Sequence, residues 1–159
     1  MLTLNDFKAA RSVLSGVLLD THLVYSAAFS KATGNQVYFK PENMQATGAY
    51  KIRGACYKIS TLSEEEKARG LVTASAGNHA QGVAYAAQHA GVPATIVMPT
   101  TTPLVKVNNT KDLGAKVVLH GEKRTGHQKQ GKAALRAAPA RRRTNRRQRK
   151  NQTTRYRSP

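Results

Sequence analysis

Acid is scarce in this sequence and cysteine is nearly absent. Only 8 Asp/Glu stand against 26 Lys/Arg in 159 residues, a formal net charge of +18. The imbalance is local. Residues 1–122 hold all 8 acids and 12 Lys/Arg, a charge of +4, whereas residues 123–159 hold 14 Lys/Arg and no acid, a charge of +14. Cys56 is the single cysteine, which excludes an internal disulfide and a cysteine-based metal cluster and suits a reducing cytosol. No stretch approaches the roughly 18 continuous apolar residues of a spanning helix. The first residues carry Asp6 and no apolar run, so no secretory signal is expected. The five histidines, at 22, 79, 89, 120 and 127, lack metal-ligand spacing, and no metal site is expected. These absences predict a soluble, cytoplasmic protein.

What is present is a front part with regular periodicity. Phe7, Ala10, Val13, Leu14 and Val17 recur at helical spacing over residues 5–19, with Asn5 or Asp6 as cap. A loop is expected next, then a short strand at 36–40 stopped by Pro41. Residues 41–49 read as turn. Ile52, Cys56 and Ile59 predict a helix over 49–60, and 64–69 a charged helical turn closed by Gly70. Residues 71–74, 94–98 and 116–120 read as strands. Between them lie an alanine-rich helix from Asn78 to His89 and one from Pro103 to Leu113, capped by Thr102. Strand, helix, strand, helix, strand at short spacing implies right-handed crossovers and a parallel sheet. The fold class is α/β, a doubly wound parallel sheet with flanking helices.

The pattern stops after Glu122. Residues 123–159 contain Leu135 and Tyr156 but no Val, Ile, Met or Phe, too little apolar surface to offset the entropy of ordering them. A basic, low-complexity, disordered tail is expected. A shifted reading frame accounts for its abrupt change of composition. Its charge would hold nucleic acid through phosphates, with steep salt dependence and little sequence preference. With one aromatic residue it offers little base stacking.

Two segments carry chemistry. In Thr47-Gly48-Ala49-Tyr50-Lys51-Ile52-Arg53 a lysine opens a helix behind a glycine and beside an aromatic ring. A helix start disfavours positive charge, and a lysine relieved of its charge is an amine nucleophile toward an aldehyde. Ser75-Ala76-Gly77-Asn78-His79-Ala80-Gln81-Gly82 joins a strand to a helix. Its small residues let the backbone approach a ligand, and the free N–H groups suit a carboxylate or phosphate. It lies beyond the carboxyl end of a strand, where parallel α/β sheets bind ligands. Taken singly, the lysine reads as a solvated surface residue, and the turn is as readily a plain capped connection.

Taken together, these segments resemble the fold-type II pyridoxal-phosphate enzymes, and within them the threonine and serine dehydratases. Residues 41–55, from Pro41 through Lys51 to Ala55, are similar to that family's cofactor-lysine motif, and Ser75 to Gly82 to its asparagine loop. Val97-Met98-Pro99, Pro103, Lys106 and Gly114-Ala115 follow at familiar spacing. The likeness covers about residues 5–122 and implies a partial dehydratase domain at 1–122, followed by the tail at 123–159.

The resemblance implies pyridoxal 5'-phosphate as cofactor. Lys51 would form the Schiff base with it and later move the substrate's α-proton. Tyr50 would pack near the pyridine ring, and Asn78 would bond the ring's phenolic oxygen. Ser75, Ala76, Gly77 and His79 would receive the substrate carboxylate. The implied reaction converts L-threonine to 2-oxobutanoate and ammonia, and L-serine to pyruvate, with serine racemase or serine dehydratase as the alternative. A full-length member would be a homo-oligomer. Ala49 stands where the family commonly has serine, Tyr50 where it has phenylalanine and His22 where it has proline. The family's glycine-rich phosphate loop and the residue facing the pyridine nitrogen lie further along than Glu122. Little or no turnover is therefore expected from this chain.

Overall fold

The computed structural model describes residues 1–122. Its order is α1 (Leu4–Leu14), β1 (Val24–Tyr25), α2 (Ala27–Thr33), β2 (Tyr38–Phe39), a 3-10 turn at Glu42–Met44, α3 (Lys51–Ser60), α4 (Glu64–Arg69), β3 (Leu71–Ala74), α5 (Asn78–His89), β4 (Ala94–Met98), α6 (Leu104–Asp112) and β5 (Lys116–Leu119). β3, β4 and β5 form a parallel sheet in that order, with Leu71 opposite Ala94 and Thr95 opposite Lys116. The parallel α/β arrangement expected from the spacing is therefore present. β4 is central and buried at Ala94, Ile96, Val97 and Met98, as a strand covered on both faces requires.

The core is the space between this sheet and the packed pair α3 and α5. Ile52, Ala55, Cys56 and Ile59 of α3 meet Ala80, Ala84, Ala86 and Ala87 of α5, together with Ile96, Met98 and Val107. The alanine run explains the closeness of the two helices, because small side chains let backbones approach. Cys56 is a core residue, and burial pushes its thiol up to about 11.

Several local expectations are corrected. Residues 20–35 are not a plain loop. They contain β1, paired antiparallel with β2, and α2, capped by Ser26, which accepts from the Phe29 N–H at 3.4 Å. Edge-to-face pairs Tyr25–Tyr38 and Phe29–Phe39, with centroids 5.4 and 5.2 Å apart, stitch this small unit together. α1 begins one residue before Asn5, with Thr3 as its cap and Asp6 closing the capping box, and it ends at Leu14. Thr102 does not cap α6. Pro103 holds the cap position, and the buried Thr102 hydroxyl finds no hydrogen-bond partner among the described residues. The expectation of a disordered tail concerns residues outside those described.

Candidate active site

The chain reaches Lys51 through a braced loop. Gly48 adopts φ +66°, a conformation that side chains other than glycine resist. The turn delivers Tyr50 to the cap and Lys51 to the first position of α3. Upstream, Gln45 is buried, and its side-chain nitrogen donates to the Leu19 carbonyl at 2.8 Å. Downstream, Arg53 makes a two-pronged pair with Glu42: Nε donates to Oε2 and Nη2 to Oε1, each at 2.7 Å. The buried Thr21 hydroxyl donates to Glu42 Oε1 at 2.5 Å, and Lys40 donates to the Thr21 carbonyl. The hydrogen bonds from Arg53 are the main reason that the Glu42 carboxyl is held down to about 2, with Thr21 adding to the effect and burial opposing it.

This brace has a pH signature. An unfolded Glu42 takes up a proton near its ordinary 4.5, whereas the folded one resists until about 2. The pair therefore stabilises fully above pH 4.5, and its contribution is lost as pH falls through that window. The Arg53 side chain is 34% exposed, so solvent screening limits the contribution to about 1 kcal/mol. Glu42→Gln is expected to lower stability by that amount at pH 7, and the gap to the parent should close between pH 4.5 and 2. Urea titrations at several pH values measure it.

The second segment is built by the sheet. The Ser75 N–H still bonds the Val97 carbonyl at 3.0 Å, after which the chain turns into α5. Gly77 caps α5 through backbone alone, its carbonyl accepting from Ala80 N–H at 2.9 Å. Among the described residues nothing takes the Asn78 or His79 N–H. Open donors at a helix start are a site for an anionic group.

α3, β3 and α5 border an open cavity of about 570 Å3, lined by Tyr50, Lys51, Arg53, Gly54, Ala55, Lys58, Ile59, Leu62, Leu71, Val72, Thr73, His79 and Val83. Of the residues expected from the sequence, Tyr50, Lys51 and His79 share these walls. Ser75, Ala76, Gly77 and Asn78 form the adjoining turn and are not among them. Lys51 and Asn78 are both exposed, so the desolvation expected of the lysine is not supplied by the described residues. The Lys51 ammonium sits 4.8 Å from the centroid of the Tyr50 ring. Sequence reasoning missed Arg53 and Lys58 as walls. Lys58 follows Lys51 by seven residues, two helical turns, and that spacing was a usable signal.

These residues suit an anionic aromatic aldehyde. One wall supplies an amine, a phenol ring and further cations, with no Asp or Glu in the lining. Among the described residues no group of three or more His, Cys, Asp or Glu is gathered to hold a metal ion, and no helix is long and apolar enough to cross a membrane.

The scaffold is that of fold-type II pyridoxal-phosphate enzymes. Aligned on the serine racemase of Dictyostelium discoideum it gives a TM-score of 0.79 at 34% identity, over 86% of this chain and 44% of that one. Aligned on the processed threonine deaminase isoform 2 of Solanum lycopersicum it gives 0.70 at 39%, over 82% and 36%. Residues 14–153 match the family described as pyridoxal-phosphate dependent enzyme, and the chain belongs to that family. The L-threonine ammonia-lyase of Thermotoga maritima is 57% identical over 121 residues, which are 76% of this chain and 30% of that protein. The chain thus spans about a third of the length of such curated relatives.

Proposed function

We propose that residues 1–122 form the lysine-bearing part of an amino-acid ammonia-lyase that takes L-threonine, and L-serine, to 2-oxobutanoate, or pyruvate, and ammonia. The observation that carries the reading is the meeting of Lys51 with the N-terminal turn of α5 at one cavity, in a chain 57% identical to an L-threonine ammonia-lyase. Pyridoxal phosphate, when bound, supplies the electron sink for carbanion chemistry. The chain's own residues would supply the amine and the substrate side of the site. With the cofactor in place, the Lys51 amine would hold it through its aldehyde and would be the base positioned to move a substrate α-proton. Tyr50 would pack against the cofactor ring, and the Asn78 amide would be its hydrogen-bond partner. Ser75, Ala76, Gly77 and His79 hold the substrate carboxylate with the open N–H groups of α5.

The whole protein, in this reading, is a cytoplasmic homo-oligomer, and residues 123–159 form a separate basic segment able to hold nucleic acid non-specifically. The family match to residues 14–153 crosses that boundary. A racemase reading is favoured by one observation, the TM-score of 0.79 to a serine racemase against 0.75 and 0.70 to two threonine deaminases. Product analysis separates the two. With pyridoxal phosphate and L-threonine, slow 2-oxobutanoate release that disappears in Lys51→Ala is expected. D-serine formed from L-serine in excess of pyruvate would give the racemase reading instead.

A further inference from the structure

The small residues of the α5 segment read, by sequence, as room for a ligand. At position 82 the neighbour is instead the catalytic helix itself. A Cβ built on Gly82 would lie 3.2 Å from the Lys51 carbonyl carbon, 3.2 Å from the Ile52 nitrogen and 3.3 Å from the Lys51 carbonyl oxygen. Gly82 has no positive φ, so backbone conformation does not call for glycine there. It is buried inside a twelve-residue helix, where glycine is a poor helix former. The local cost of glycine must be offset by something, and the contact with Lys51 is what it permits.

We propose that Gly82 is a positioning residue: its missing side chain seats α5 directly on the peptide of Lys51 and so sets the spacing between that amine and the Asn78 turn. The proposal rests on the reading that Lys51 captures the cofactor aldehyde. Asn78 lies four residues before Gly82, about 6 Å along the axis, so the contact acts as a fulcrum between the two functional segments. The atoms that a methyl group would meet are backbone. They cannot rotate aside, and relief requires moving α3 against α5 by a few tenths of an ångström. Such a shift moves the amine with the helix.

The test separates position from stability. The full chain and its Gly82→Ala and Ala86→Gly variants are incubated with pyridoxal phosphate and reduced with borohydride. Peptide mapping then measures the label at residue 51, and circular dichroism follows thermal unfolding. The better helix propensity of alanine offsets much of the overpacking cost, so Gly82→Ala is expected to stay folded with a midpoint near or modestly below the parent's while label at Lys51 falls about tenfold, in line with the steep cost of small misplacements. Ala86→Gly, in the same helix and away from Lys51, should lower the midpoint and keep the label while folded. Equal labelling of parent and Gly82→Ala overturns the proposal, as does a Gly82→Ala chain that does not fold. Absence of label at Lys51 in the parent sinks the underlying reading instead.

Discussion

Replacing Lys51 by alanine is expected to abolish reducible capture of pyridoxal phosphate at this site while leaving the fold unchanged. The reasoning has two independent parts. The side chain is exposed at the first position of α3 and makes no hydrogen bond to another described residue. It makes a cation–π approach to Tyr50 at 4.8 Å, worth about 0.5 kcal/mol at an exposed position. Alanine is also the better helix former, so the net stability change should stay within about 0.5 kcal/mol. The chemistry has no such reserve. An aldehyde needs an amine to form a covalent link, and alanine has none. Lys58 shares the cavity wall, but it lies two helical turns from the first position of α3. Absorbance after cofactor addition should therefore separate parent from variant, with unfolding curves that superimpose. A variant that labels as well as the parent removes Lys51 from the account.

The second large effect concerns the scaffold. Ile96 is fully buried at the centre of the middle strand, paired with Thr73 on one side and Val117 on the other. Ile96→Ala removes a side chain that the surrounding core cannot replace, at a cost of about 3–4 kcal/mol. For a domain of this size that corresponds to roughly 15 °C in melting temperature. Total stability of a small domain is about 5–15 kcal/mol, so the variant should be partly unfolded near physiological temperature. Cofactor capture at 51 should fall with the folded fraction and recover on cooling. Loss of capture in a variant shown to be folded would mean that β4 touches the site directly, which its buried position does not provide for.

The regions that the sequence describes well are those where periodicity runs long enough to be read. β3, α5, β4 and β5 emerge within a residue of their observed bounds because turns and glycines punctuate a repeated strand–helix unit. The short strand expected at 36–40 is present as β2, Tyr38–Phe39, but β1 has two residues and α2 seven, too few for a period to show. Their order comes from tertiary pairing and from aromatic contacts across the hairpin, which no local pattern encodes. The brace at Glu42 and Arg53 was likewise hidden. Both residues lie within the recognised lysine motif, but a pair eleven residues apart across a turn has no helical spacing to reveal it. Gly82 was visible as a small residue, but its neighbour was not. Only coordinates show that the approach it permits is to the Lys51 peptide. The substrate-side residues Ser75 to Asn78 were placed by family likeness, and they adjoin the cavity instead of lining it.

The central claim is that one amine among many basic groups is the cofactor's. It is tested by trapping pyridoxal phosphate on the unmodified chain with borohydride and locating the label by peptide mass spectrometry. Label concentrated on the peptide that contains residue 51 is the expected result. Label spread in proportion to exposure over the other lysines, with residue 51 no more modified than Lys58 or Lys106, would contradict it.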